Sequence, residues 1–161
     1  MSNFLVVKDK VQRYARELFD DVRIDSDGDV AVPLEDTVVY IRVWEREFST
    51  SEEEKFYDDN QLSKVMVNVW SYSLLELKEN VDLFKWVATE GQSLTLGHFL
   101  LVPTDEKESS YRLIFANSLS GDTLDPGELK GALLAVASSA RDGIELLKPR
   151  FGGKTFMEVS N

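Results

Sequence analysis

Few residues in this chain have the type and spacing that chemistry needs, and each can be weighed against its local sequence. His98 is the only histidine. A Ser–His–Asp triad would have to be built on it. It follows Gly97 at the start of an apolar strand, and no Gly-x-Ser-x-Gly turn presents a nucleophile. A lone strand histidine reads as structural. Gly153-Lys154-Thr155 has the ending of a phosphate loop. That loop needs a glycine where Lys148 stands, a strand before it and a helix after it. Here a helix precedes and a short tail follows, so Lys154 reads as a tail charge. Asp25-Ser26-Asp27-Gly28-Asp29 invites calcium. A calcium loop places its glycine after the third acidic ligand, whereas Gly28 precedes Asp29. A hairpin turn is the better reading. Zinc would find one histidine, no cysteine and otherwise only carboxylates. Asp and Glu number 29, so spacing alone singles out no glycosidase pair. No catalytic, cofactor or metal residue is assigned, and the chain is read as a non-enzyme.

The stronger signal is a surface. Val38–Trp44 and Val65–Tyr72 both alternate. One face reads Val39, Ile41 and Val43 with Val65, Val67 and Val69. The other reads Val38, Tyr40, Arg42 and Trp44 with Met66, Asn68, Trp70 and Tyr72. A half-buried strand needs one apolar face. The second must be covered by a helix, another copy of the chain or a partner. Rings on neighbouring strands lie close enough to touch, and aromatic residues around an arginine have the composition of an interface centre. Tyr40, Arg42, Trp44, Met66, Trp70 and Tyr72 are therefore the candidate partner-binding residues. A dimer seam is the first use and a client groove the second. The intramolecular alternative has the N- and C-terminal helices on one face and the middle helix on part of the other.

The elements that position these residues follow from periodicity and caps. Val7, Val11, Tyr14 and Leu18 form one stripe of a helix over Asn3–Phe19. Strands Val22–Asp25 and Asp29–Val32 flank a Ser26-Asp27-Gly28 turn, and Pro33 ends the second. Thr37–Phe48 and Lys64–Tyr72 are the next two strands. Between them Ser49–Gln61, with Glu52, Glu53, Glu54, Asp58 and Asp59, reads as an acidic loop. The sharper reading makes it a docking site for a basic client, anchored by Phe56 and Tyr57. Asn80 caps a helix that runs to about Glu90 and stops at Gly91. His98–Val102 and Tyr111–Ser118 form a hairpin around the polar Thr104–Ser110. Asp125-Pro126-Gly127-Glu128 opens a long final helix with an apolar stripe from Leu129 to Leu147, ended by Pro149. Arg150–Asn161 reads as a fraying or loosely docked end.

A chain of 161 residues, 43% hydrophobic, suffices for one domain with a real core. The absence of cysteine excludes disulfides and thiol chemistry and fits a reducing compartment. No apolar run approaches the roughly 20 residues that span a bilayer. The Met-Ser-Asn start lacks the pattern of a secretory signal, so a cytoplasmic location is expected. The formal net charge is −11, which disfavours nucleic acid and anionic membranes and biases partners toward basic proteins.

Taken together, the element order, the Leu124-Asp125-Pro126-Gly127-Glu128-Leu129 helix start and the closing Arg150-Phe151-Gly152-Gly153 resemble the YbjN-like proteins. These share a fold with type III secretion chaperones. Leu100–Gly153 carries most of the likeness, and residues 1–60 match in element order only. The element order α-β-β-β-β-α-β-β-α, with strands adjacent in sequence, favours an antiparallel sheet, and the resemblance implies an α+β fold in which a curved antiparallel sheet is packed with three helices. It also implies dimerisation and peptide or protein binding in a chaperone-like or regulatory role, with no catalytic residue to carry over. The expectation is a single domain over 1–153 with a tail over 154–161. Its partners are a protein or peptide client, biased toward basic charge, and a second copy; no cofactor, nucleic acid or membrane is expected. The alternative is a small-molecule-sensing domain with a pocket between sheet and helix. A hydrolase acting through acidic residues has only abundant carboxylates in its favour.

Overall fold

Alternating strands and amphipathic helices sort into two layers. The computed structural model describes residues 3–92, 96–104 and 110–160. Among these, one antiparallel sheet has six strands, β1 (Arg23–Ile24), β2 (Val30–Leu34), β3 (Thr37–Glu45), β4 (Val65–Lys78), β5 (His98–Pro103) and β6 (Ser110–Ser120), in the order β1-β2-β3-β4-β6-β5. Five helices accompany it: α1 (Asn3–Leu18), α2 (Ser51–Asp59), α3 (Val81–Thr89), α4 (Pro126–Phe151) and α5 (Phe156–Ser160). The α+β class is as expected. The order differs by two helices, α2 and α5.

The inner sheet face holds the core. Val30, Val32, Val39, Ile41, Val65, Val67, Val69, Leu113 and Phe115 are at most 1% exposed. Helix α1 lays Val7, Val11 and Ala15 on this face, and α4 adds a stripe from Leu129 to Leu147. Tyr14 and Leu18 of the expected α1 stripe are only half-buried. Helix α3 packs on the same side: Trp86 meets Phe99 at 5.4 Å and Phe84 meets Tyr111 at 5.2 Å. In the intramolecular alternative the middle helix covers part of the outer face; α3 does not do so. The α3 stripe reaches β5, at the sheet's edge, and extends the inner layer there.

Small residues let α4 approach closely. Ser71 and Ser73 of β4 are fully buried. The Ser71 hydroxyl meets Thr37 Oγ1 at 2.8 Å and donates to the Val38 carbonyl at 2.9 Å. Gly143 of α4 lies over this region. A Cβ there would sit 2.7 Å from a Phe99 ring carbon and 3.2 Å from Ser73 Oγ.

The expected caps are present. Asn80 Oδ1 accepts from the amides of Asp82 and Leu83, and Asp125 Oδ1 accepts from the Glu128 amide at 2.8 Å. Gly28, at φ 81, makes the β1–β2 turn, against which Lys8 and Gln12 of α1 donate to backbone carbonyls.

Three local expectations are overturned. Ser49–Gln61 is not a loop throughout: Ser51–Asp59 is helix α2, capped by Thr50, whose hydroxyl accepts from the Glu53 amide at 3.2 Å. Its three early glutamates suit the positive helix start. It buries no residue, so it has no apolar stripe to reveal it. Strand β2 passes through Pro33 to Leu34 because β1 pairs only as far as Ala31, leaving the proline's missing donor without a ladder partner to serve. Helix α4 passes through Pro149 to Phe151; near a helix end the proline forfeits one hydrogen bond, and Gly152 makes the stop. The C-terminal segment, expected to fray or dock loosely, is docked: Lys154 and Leu75 exchange backbone hydrogen bonds of 2.7 and 2.9 Å before α5 begins. Residues 105–109 of the expected β5–β6 connection, and Asn161 of the tail, lie outside the described residues.

Candidate functional site: the outer sheet face

Strand pairing fixes where the aromatic residues meet. Tyr40 opposes Trp70, Arg42 opposes Asn68, and Trp44 opposes Met66. Across β4, Trp70 opposes Ala116 and Tyr72 opposes Ile114; across β6, Ala116 opposes His98 and Ile114 opposes Leu100. One row therefore crosses five strands as Ala31, Tyr40, Trp70, Ala116 and His98. All these residues point away from the helix layer. Tyr40, Trp44, Met66, Trp70, Tyr72 and Ile114 are half-buried, while Arg42 is exposed.

The six residues expected from sequence share this face but divide into two groups. Tyr40, Trp70 and Tyr72 form a ring cluster: Tyr40 stacks on Trp70 at 4.4 Å, and Tyr72 meets both edge-on at 5.8 and 5.0 Å. Arg42 lies beside them and pairs with Asp29 at 2.5 Å. Trp44 and Met66 lie apart, toward one end. There Arg46 bridges Trp44 and the α2 ring Tyr57, at 5.9 and 5.1 Å from their centroids. At the other end the Phe156 ring of α5 stacks on Tyr72 at 6.1 Å, nearly parallel. Among the described residues, α2 and α5 touch only these two ends, and the centre of the face is open.

The open centre is a groove of about 530 Å³. Its walls are Trp70 and Tyr72 on one side and His98, Leu100 and Val102 on the other. Small residues form its floor, because Ala116 lies between Trp70 and His98 and Ser118 lies next to Asn68. Sequence reasoning missed the contribution of β5 and β6: His98, Leu100, Arg112 and Ile114 all line this groove. The signal was present as the outward half of the alternation in each strand. It could not be placed without knowing that β6, not β5, pairs with β4.

The polar groups have local causes. Burial, then the neighbouring Tyr72 phenol, pushes the Tyr40 phenol up from its ordinary value. Arg112 Nη1 donates to the Tyr72 hydroxyl at 3.4 Å, and the guanidinium carbon lies 5.9 Å from that ring's centroid. Its shielded Nε has no partner. The residues of the motifs weighed above have local partners or places. Asp25 Oδ1 accepts from the Asp27 and Asp29 amides, so it is engaged in its own turn. Lys154 pairs with Glu76 at 2.7 Å. His98 lies in the groove wall, with no nucleophile arranged on it among the described contacts. No group of three or more His, Asp or Glu residues is gathered to hold a metal, and no helix is long and apolar enough to cross a membrane, among the described residues.

The arrangement offers apolar and stacking contact with a few hydrogen-bond donors at its rim, which suits holding a chain segment. No protein-family model matches the chain, and no curated protein matches it.

Proposed function

We propose that this chain is a non-enzymatic binding protein that captures a protein or peptide segment on the outer sheet face. The observation that carries this reading is the Tyr40–Trp70–Tyr72 cluster beside a 530 Å³ groove, on the face that α1, α3 and α4 leave open. Half-exposed aromatic rings around arginine are the side chains that dominate binding energy at protein interfaces. The role is chaperone-like or regulatory, as the resemblance to YbjN-like proteins and secretion chaperones implies. Homodimerisation belongs to the same proposal, as does a cytoplasmic setting.

Affinity capture with tagged protein, beside a folded Trp70→Ser control, tests the reading. A partner retained by the native chain and lost by the variant is the expected result. Equal capture by both would sink the assignment of the site to this face. Light scattering on both proteins reads the oligomeric state in the same samples.

The small-molecule-sensing alternative has less support. The recess between sheet and helix, bounded by Trp86, Phe99 and Gly143, holds about 140 Å³. Pockets for drug-sized ligands run from roughly 300 Å³ upward.

A further inference from the structure

We infer that the segment held in the outer-face groove is acidic, with apolar side chains between its carboxylates. This rests on the reading of that face as a peptide-binding site and gives the chemistry of its occupant. The whole chain carries −11, and by that measure a basic client is the natural guest. The groove does not share the charge of the chain. Its lining contains Arg42, Arg112 and His98 and, among the described residues, no aspartate or glutamate.

The two arginines are positioned to be met from outside. Arg42 is paired with Asp29, but the aspartate is the inner partner: its side chain is 17% exposed and that of Arg42 60%. An arriving carboxylate therefore meets the cation before the anion. Arg112 has no carboxylate partner among the described residues. It leans on Tyr72 and makes one long hydrogen bond to a phenol. Guanidinium groups bind carboxylates through two parallel N–H donors, and neither bond to Tyr72 nor the cation–π contact neutralises the charge. Between the arginines the groove offers Trp70, Ile114 and Leu100 to apolar side chains.

The edge of the sheet is a poorer seat. On β5 the outward Phe99 amide donates to the Gly91 carbonyl at 3.0 Å, the Gln92 side chain donates to the Phe99 carbonyl at 3.0 Å, and Pro103 has no amide proton. Strand addition there meets engaged groups at Phe99 and finds no donor at Pro103. A second copy docked through the same face would bring two sets of Arg42 and Arg112 into one interface, with no aspartate or glutamate among the described groove residues to offset them.

The test selects a displayed library of random linear peptides on immobilised full-length chain, with Trp70→Ser as counter-selection. Anisotropy on an enriched peptide then compares the native chain with Arg42→Gln and Arg112→Gln. The expected pool is enriched in Asp and Glu interspersed with apolar residues. Each arginine change should weaken binding by roughly tenfold, and added salt should weaken binding to the native chain. The salt series needs no variant, so a misfolded Arg112→Gln protein does not remove the test. A basic pool that still depends on Trp70 overturns the acidic-guest inference and leaves the peptide-binding reading standing. A pool indifferent to Trp70 overturns both. Displacement of the acidic peptide by polyuridylate, bound more tightly, overturns the inference in favour of nucleic acid. A dimer abolished by Trp70→Ser overturns it in favour of a second copy.

Discussion

Leu113 and Ile114 are adjacent on β6 and face opposite sides of the sheet, so truncating each to alanine measures how differently the two faces are covered. Leu113 is 0% exposed and sits in the main core, opposed by Leu74 and Leu101. Its truncation loses the transfer free energy of the removed carbons and leaves an enclosed cavity, costing about 2–5 kcal/mol. Ile114 is half-buried between Tyr72 and Leu100 on the groove wall. Its truncation opens into a groove already in contact with water, so no cavity term arises. Three carbons at roughly 0.8 kcal/mol each, about half buried, give about 1 kcal/mol. Loss of strand propensity adds a similar increment to both variants and largely cancels in the comparison. The expected separation is about 2 kcal/mol. Urea unfolding with unchanged slopes reads it directly, and at this chain length it corresponds to roughly 4–8 °C in Tm. Equal losses would refute the claim that the outer face is open. If the Ile114→Ala loss also grew with protein concentration, a second copy would be the cover.

Two further outcomes follow from close contacts and from charge. Gly143→Ala would place a methyl group 2.7 and 2.8 Å from two Phe99 ring carbons, whereas the same change at Gly131 of the same helix meets nothing within 4 Å. Helix propensity favours alanine by about 1 kcal/mol at both positions, and overpacking costs about 1–3 kcal/mol at Gly143 alone. Thermal unfolding should therefore show Gly131→Ala stabilised and Gly143→Ala destabilised; the same sign at both would show that Phe99 yields. The Glu158 carboxyl is lowered from 4.5 to about 2, by Lys148 first and then by the Thr155 amide and hydroxyl. Its folded pKa lies below the unfolded one, so its contribution is complete above about pH 4.5 and is lost as pH falls toward 2. NMR titration should find Glu158 still ionised near pH 3.5, with the Phe156 contact to Tyr72 released only below that. An ordinary carboxyl midpoint would show that the Lys148 and Thr155 contacts do not persist in solution.

Much of the fold was legible because its signals are local. The Asn80 and Asp125 caps, the Gly28 turn and the alternation of β3 and β4 each depend on a few neighbouring residues. Helix α2 was illegible for a related reason. A helix that buries nothing has no apolar period, and Glu52-Glu53-Glu54 reads equally as loop or first turn until Thr50 is recognised as a cap. The continuation of β4 to Lys78 was hidden by irregularities between Tyr72 and Leu77, with Glu76 at φ 54, which break the two-residue alternation. The run through Pro149 was hidden because the proline rule describes a helix interior, and Pro149 lies in the last turn.

The candidate site was legible as a composition and illegible as a location. Tyr40, Trp70 and Tyr72 could be assigned to one face by alternation, but alternation is silent on what lies over that face. Coverage follows from the helices. Their buried residues are Val7, Val11 and Ala15 on α1, Leu83, Trp86 and Val87 on α3, and the Leu129–Leu147 stripe on α4; α2 and α5 bury none. The stripe of α3 includes Trp86, which needs a large apolar neighbour, and Phe99, on the inner side of β5, supplies it at 5.4 Å. Once α3 is committed to Phe99, every apolar helical stripe is spent on the inner face. The outer aromatic row is then left to whatever meets the chain from outside, and the arginines at its rim set the charge that the visitor should carry.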